Sequence, residues 1–187
     1  MDAIDALVNR VSCGKLTTPA PTASQREQMY KAALRAADHG SLKPWRFLEI
    51  EDGGLLALGG VFERAALKDD PDLALAQRER FRKMPSRAPL IIAAIAKCVE
   101  HPKVPAWEQV VATGAAVQNL ITAAFVHGIG AYWRTGAMVE HAQVKQSLGL
   151  TENEVLVGFV YLGTPMIPFK PVPTTEPADF FQAWPPK

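Results

Sequence analysis

The sequence lacks the patterns that announce the commonest chemistries. It has no Gly-x-Ser-x-Gly elbow, no His-Glu-x-x-His, no Walker loop and no Cys-x-x-Cys, which argues against hydrolase, zinc and nucleotide-triphosphate readings. No Gly-x-Gly-x-x-Gly follows any predicted strand, so a doubly wound dinucleotide fold is not indicated. Cysteine is scarce: Cys13 and Cys98 have no second Cys or His at metal-ligand spacing, and two cysteines cannot build a disulfide framework for a chain this size. The acidic start Met1-Asp2-Ala3-Ile4-Asp5 has neither the basic residues nor the apolar run of a signal peptide. A reducing, cytoplasmic setting is therefore expected, with no metal site. His39, His101, His127 and His141 are scattered, without ligand spacing.

Charge of one sign is also missing. The 20 Lys and Arg are dispersed among 19 acids, whereas a nucleic-acid binder needs a basic stripe to neutralise phosphates. The uncharged stretch from Val110 to Val126 contains Thr113, Gly114, Gln118, Asn119 and Thr122 and falls short of the ~20 apolar residues of a membrane span; it reads as a core helix. With 48% hydrophobic and 21% charged residues, the composition is that of an ordinary globular protein. Its 187 residues suit one domain, 1–187, able to bury about 70% of its unfolded surface.

What is present is a helix-and-strand pattern. Ile4, Leu7 and Val8 have helical spacing and predict a short helix over 2–9, followed by a loop to Leu16. Thr22 or Ser24 can cap a second helix with Met29, Ala33, Leu34 and Ala37 on one face and a stop at Gly40. Pro44 to Ile50 predicts a strand, Leu55 to Met84 a helix pair, and the apolar run Pro89 to Ala96 a central strand covered on both faces. Trp107 to His127 predicts a long helix with so few polar positions that both its sides need protein cover, as a domain spine or a dimer interface. Gly128 and Gly130 end it, Ala131 to Arg134 is a short segment, Glu140 to Leu148 a helix, and Glu154 to Leu162 a last strand. About five helices and four strands result, with an extended Pro-rich arm over 165–177.

Three segments place cations or hydroxyls at the ends of these elements: Arg10-Val11-Ser12, Arg35 to His39 with Ser41 to Trp45, and Trp133-Arg134-Thr135-Gly136. A guanidinium fork matches phosphate oxygens and a neighbouring hydroxyl satisfies those left over, so Arg10 with Ser12 is a candidate phosphate site. In order and spacing these segments, with Arg87 to Ile91, Lys97-Cys98, Lys103 to Gln109 and Val157 to Pro165, resemble the nitroreductase family, and closest its short bacterial subgroup, over nearly the whole chain.

That resemblance implies an α+β nitroreductase-like fold, with a mixed, mainly antiparallel sheet flanked by helices around a long buried one, and an FMN-dependent NAD(P)H oxidoreductase. Hydride would pass by ping-pong through flavin N5 to nitroaromatic, quinone or related acceptors, so no catalytic side chain is required. It implies that Arg10, Ser12 and Arg134 hold the flavin phosphate and ribityl chain, that Val11, Trp133 and Thr135 belong to the same pocket, and that Arg35 and His39 contact FMN across a homodimer interface. Lys15 stands where the family loop commonly carries a base, positioned to stabilise reduced flavin. Trp107 and Glu108 read as structural residues of a helix start. The sequence departs from the family at Val11, usually Arg, and at Lys43, usually Gln. Those departures leave open an FMN-binding module with little turnover; a flavin-free interaction protein is a further alternative.

Overall fold

The structure, a computed structural model, describes residues 1–185. Its centre is β3 (Leu90–Lys97), the apolar run of the sequence, which lies between β2 (Trp45–Glu51) and β5 (Glu154–Pro165). On the far side of β5, β4 (Gly130–Arg134) pairs with residues 159–163, and the two-residue β1 (Leu16–Thr17) pairs with Thr164 and Pro165. Every pair among the described strands is antiparallel.

Strand alternation divides the core in two. Ile91, Ala93 and Ile95 join Phe159 and Tyr161 under α3 (Gly53–Asp69). Leu90, Ile92 and Ala94 join Val160 and Leu162 under α2 (Ala23–Ala33) and α5 (Ala106–Val126). Each fully buried isoleucine contributes about 1.5–3 kcal/mol. Two buried polar residues fasten α5 to the loops around it. Gln109 donates to the carbonyls of Val99 at 2.8 Å and Val104 at 3.2 Å and accepts from the Val99 N–H, while Thr113 Oγ1 donates to the Pro44 carbonyl at 2.9 Å.

Several boundaries differ from the sequence expectation. Thr22 does cap α2, through a capping box with Gln25, but that helix ends at Leu34 rather than at Gly40, and Leu34 and Ala37 face solvent. Among the described residues, seven α-helices and five strands replace the expected five and four. The helix expected over 140–148 forms as α7 (Ala142–Ser147), starting later because His141 leaves the helical region (ψ 122) and its Nδ1 accepts the Gln143 N–H to cap it; an additional one-turn helix, α6 (Ala137–Glu140), precedes it. Strand β1 falls in the expected loop, and β5 runs on to Pro165 to pair with it.

Helix α1 (Ala3–Asn9) forms as predicted, with Asp2 and Asp5 in a capping box, but its Ile4, Leu7 and Val8 face outward. The expected cover for both sides of α5 is also incomplete within one chain, since Trp107 and Val111 are exposed. Among the described residues α5 is the one helix long and apolar enough to cross a membrane, and half of its apolar window is buried in the protein.

Candidate functional site

The site is organised by β4. Opposite Ala94 and Ile95 of β3 the register of β5 jumps from Gly158 to Leu156, leaving Val157 as the extra residue of a β-bulge. Gly158 has φ 152°, and a Cβ there would collide with the indole Nε1 of Trp133 and lie 2.8 Å from the Arg134 carbonyl oxygen. The bulge and the glycine together let the indole lie across β5, where Nε1 donates to the Val157 carbonyl at 3.3 Å. The Trp133 side chain is thus committed to the α5-side core, and alternation turns Tyr132 and Arg134 to the opposite face.

Two cavities lie on that opposite face. The larger, about 430 Å³, is bounded by Phe62, Phe81, Met84, Tyr161, Arg134 and the Thr135-Gly136 turn. The smaller, about 240 Å³, is bounded by Ser12, Gly14, Lys15, Phe169 and Lys170. Tyr132 lines both. The N-terminal loop is held in place by the Cys13 N–H, which donates to the Ala131 carbonyl at 2.9 Å. Gly14 lets the backbone run close to the Tyr132 ring, since a Cβ would sit 2.9 Å from it. The Pro-rich arm folds back over the same loop through the Met166 N–H, which donates to the Lys15 carbonyl at 3.0 Å, and through Phe169, whose ring lies 5.2 Å from that of Phe125.

The electrostatics of this face are one-sided. Arg26, Arg46, Arg78 and Arg82 each have a carboxylate partner. Among the described residues Arg10, Lys15, Arg134 and Lys170 have none within 4.0 Å. Arg134 is the most telling: its guanidinium carbon lies 4.4 Å from the Tyr132 ring centroid and 5.1 Å from that of Tyr161, and its buried Nε has no hydrogen-bond partner. A half-buried cation with an unsatisfied donor is costly unless something supplies the missing acceptor. Burial pushes the Tyr161 hydroxyl up, against the opposing pull of Arg134 and Arg87, so this phenol faces the cavity neutral.

The residues predicted from sequence fall into three groups. Ser12 lines the smaller cavity, while Arg134 and Thr135, with Trp133 through its backbone, line the larger. Arg10 and Val11 are half-buried in the N-terminal loop, outside both linings. Arg35 and His39 lie beyond the end of α2, exposed and away from both cavities. His39 Nδ1 meets Glu108 Oε2 at 2.8 Å, so Glu108, taken from sequence as structural, orients a candidate site residue. Lys43 sits in a tight turn at φ 49°, its N–H donating to the Asp38 carboxylate at 2.6 Å. Sequence reading missed Tyr132, Phe81, Met84 and Lys170. Alternation along β4 could have placed Tyr132 beside Arg134; nothing local marks a lysine in a Pro-rich arm as part of a site.

An antiparallel sheet with helices on both faces, a long central helix and this cation-lined strand end define an α+β protein of the nitroreductase-like kind. The solved structure of a nitroreductase-like family protein from Bacillus cereus superposes with a TM-score of 0.82 at 19% identity, covering 99% of this chain and 97% of that one. A candidate nitroreductase from Desulfovibrio desulfuricans, solved in complex with FMN, gives 0.74 at 19% identity, covering 97% and 96%. The sequence model of the nitroreductase family matches residues 7–164. YdjA of Escherichia coli K12, named as a candidate NAD(P)H nitroreductase, is 42% identical over 168 residues, covering 89% of this chain and 90% of YdjA. A Haemophilus influenzae protein of the same description is 35% identical over 167 residues, with the same coverage. The chain belongs to the nitroreductase family.

Proposed function

We propose that this chain is an FMN-dependent NAD(P)H oxidoreductase that reduces nitroaromatic, quinone or related oxidised acceptors, working as a single-domain protein in a cytoplasmic homodimer. One observation carries the reading: two cavities meet at Tyr132, one aromatic and one lined by Ser12, Lys15 and Lys170, with no carboxylate neutralising those cations or Arg134. This donor set fits FMN, a flat ring joined to a phosphate. The larger cavity suits the ring, against Met84, Phe81 and the Thr135-Gly136 backbone. The smaller suits the polar tail, with Ser12 and Lys170 as donors and Arg10 on the same loop. When bound, FMN supplies hydride transfer, accepting from NAD(P)H and donating to the acceptor in a ping-pong cycle.

The protein's own work is positioning and charge. Lys15, on the smaller cavity, places a cation beside the polar tail. The Phe62, Phe81 and Met84 wall keeps water from the ring. The exposed apolar faces of α1 and α5 support dimerisation, since monomeric proteins rarely leave such surface open. Arg35 and His39, remote from their own chain's cavities, would then serve the partner's flavin, with Glu108 orienting His39.

Fluorescence titration of the purified protein with FMN, followed by NADH or NADPH oxidation with a nitroaromatic or quinone acceptor, tests this. Saturable flavin binding with acceptor-dependent turnover is expected. Flavin bound without turnover would favour the alternative of an FMN-binding module with little turnover, and no binding at all would sink both.

A further inference from the structure

We infer that Arg134 acts at the ring end of the flavin rather than at its phosphate, and that it sets how readily the bound flavin is reduced. The inference rests on the flavin reading above and departs from it at one residue. Four observations carry it. Arg134 borders the larger, aromatic cavity and not the smaller one that holds Ser12, Lys15 and Lys170. Tyr132 stands between the two, and the Arg134 guanidinium is stacked on it at 4.4 Å, with Tyr161 at 5.1 Å. Those two rings anchor the cation on the aromatic side. Its Nε is buried without an acceptor, and no hydrogen bond of its outer guanidinium nitrogens is among those described, so those N–H groups remain for a ligand that enters this cavity. The cavity's other side chains are almost all apolar, Phe62, Phe81, Met84 and Phe159 among them, and no described carboxylate lies within ion-pair range of Arg134.

A cation in such surroundings is weakly screened, so it favours the more negative of two ligand states strongly. Flavin gains electron density on its ring when reduced, whereas its phosphate charge does not change. A cation at the ring therefore raises the reduction potential, and a cation at the phosphate leaves it nearly unaffected. Ser12, Lys15 and Lys170 border the smaller cavity, with Arg10 on the same loop, so the tail has donors without Arg134.

The experiment compares wild-type protein with R134M and R134K, titrating each with FMN and with riboflavin, which lacks the phosphate, and measuring the midpoint potential of the bound flavin. R134M should lose affinity for both ligands by a similar factor, about tenfold or more for a lost charge-assisted contact. Its potential should fall by about 30 mV for each tenfold by which the reduced form loses more affinity than the oxidised form. R134K, which keeps the charge, should hold most of the potential. Loss of FMN affinity with riboflavin binding intact, at unchanged potential, would overturn the inference and return Arg134 to the phosphate. Wild-type protein that binds neither ligand would overturn the flavin reading itself, a result distinguishable from the first because it needs no variant.

Discussion

Tyr132 and Arg134 stand two residues apart on the same face of β4, with the guanidinium carbon 4.4 Å from the phenol ring centroid. The stack holds a cation in place without neutralising it, which a carboxylate could not do. Tyr132 Oη makes no hydrogen bond among those described, so the ring and not the hydroxyl matters. Y132F should bind FMN as wild type does, while Y132L should weaken binding by about 0.5–2 kcal/mol, the range of a cation–π contact. Equal affinities for Y132F and Y132L in a fluorescence titration would show that the stack has no part in the site.

At Gly158 two strains would coincide. An added Cβ meets the Trp133 indole and the Arg134 carbonyl, and φ 152° is unfavourable for any L side chain. G158A should lower the unfolding free energy by at least about 2 kcal/mol, and because β4 must shift, flavin affinity should fall with it. Denaturant unfolding measures the first effect; a variant as stable as wild type would mean that the bulge does not confine the indole as described.

Acid should act on the Arg46–Glu154 pair. Arg46 holds the Glu154 carboxyl down to about 2, with further hydrogen bonds from Thr151. A carboxylate with a depressed folded-state pKa stabilises the fold at pH above its ordinary value, 4.5. That contribution is lost as pH falls from about 4.5 towards 2. With Arg46 partly open to solvent, it is on the order of 1 kcal/mol. Melting temperature should drop over that window in wild type and less steeply in E154Q; parallel curves would exclude Glu154 as a contributor.

The outer side of α5 offers a test of assembly. Val111 is 61% exposed, so V111E should cost the isolated chain less than about 0.5 kcal/mol. In a dimer built on this face, the same glutamate would be buried without a partner. Light scattering should report a monomer, and FMN should bind at least about tenfold more weakly. A V111E dimer that retains its flavin would place the interface elsewhere.

Much of the fold is legible because its signals are local. The unbroken apolar run of β3 demands cover on both faces, Thr22 and Gln25 form a capping box four residues long, and the length of α5 follows from an uninterrupted helical stretch. Other boundaries depend on partners far along the chain. Strand β1 exists because β5 continues to Pro165, 148 positions beyond Thr17 in number, and the break at His141 depends on a side chain that caps the next helix.

The candidate site divides in the same way. The Arg-x-Ser loop and the Trp-Arg-Thr turn stand out as motifs, and the sequence by itself settled the family, the elements that bear these residues and the absence of the common catalytic signatures. Only the tertiary structure decided which of them meet. The bulge at Val157 with Gly158 makes room for the Trp133 indole across β5, the arm's fold-back carries Lys170 to Ser12, and Tyr132 separates the two cavities. Backbone alternation can be read from a sequence, but register, bulges and the path of an arm are set by packing between distant segments, which no single stretch of residues encodes.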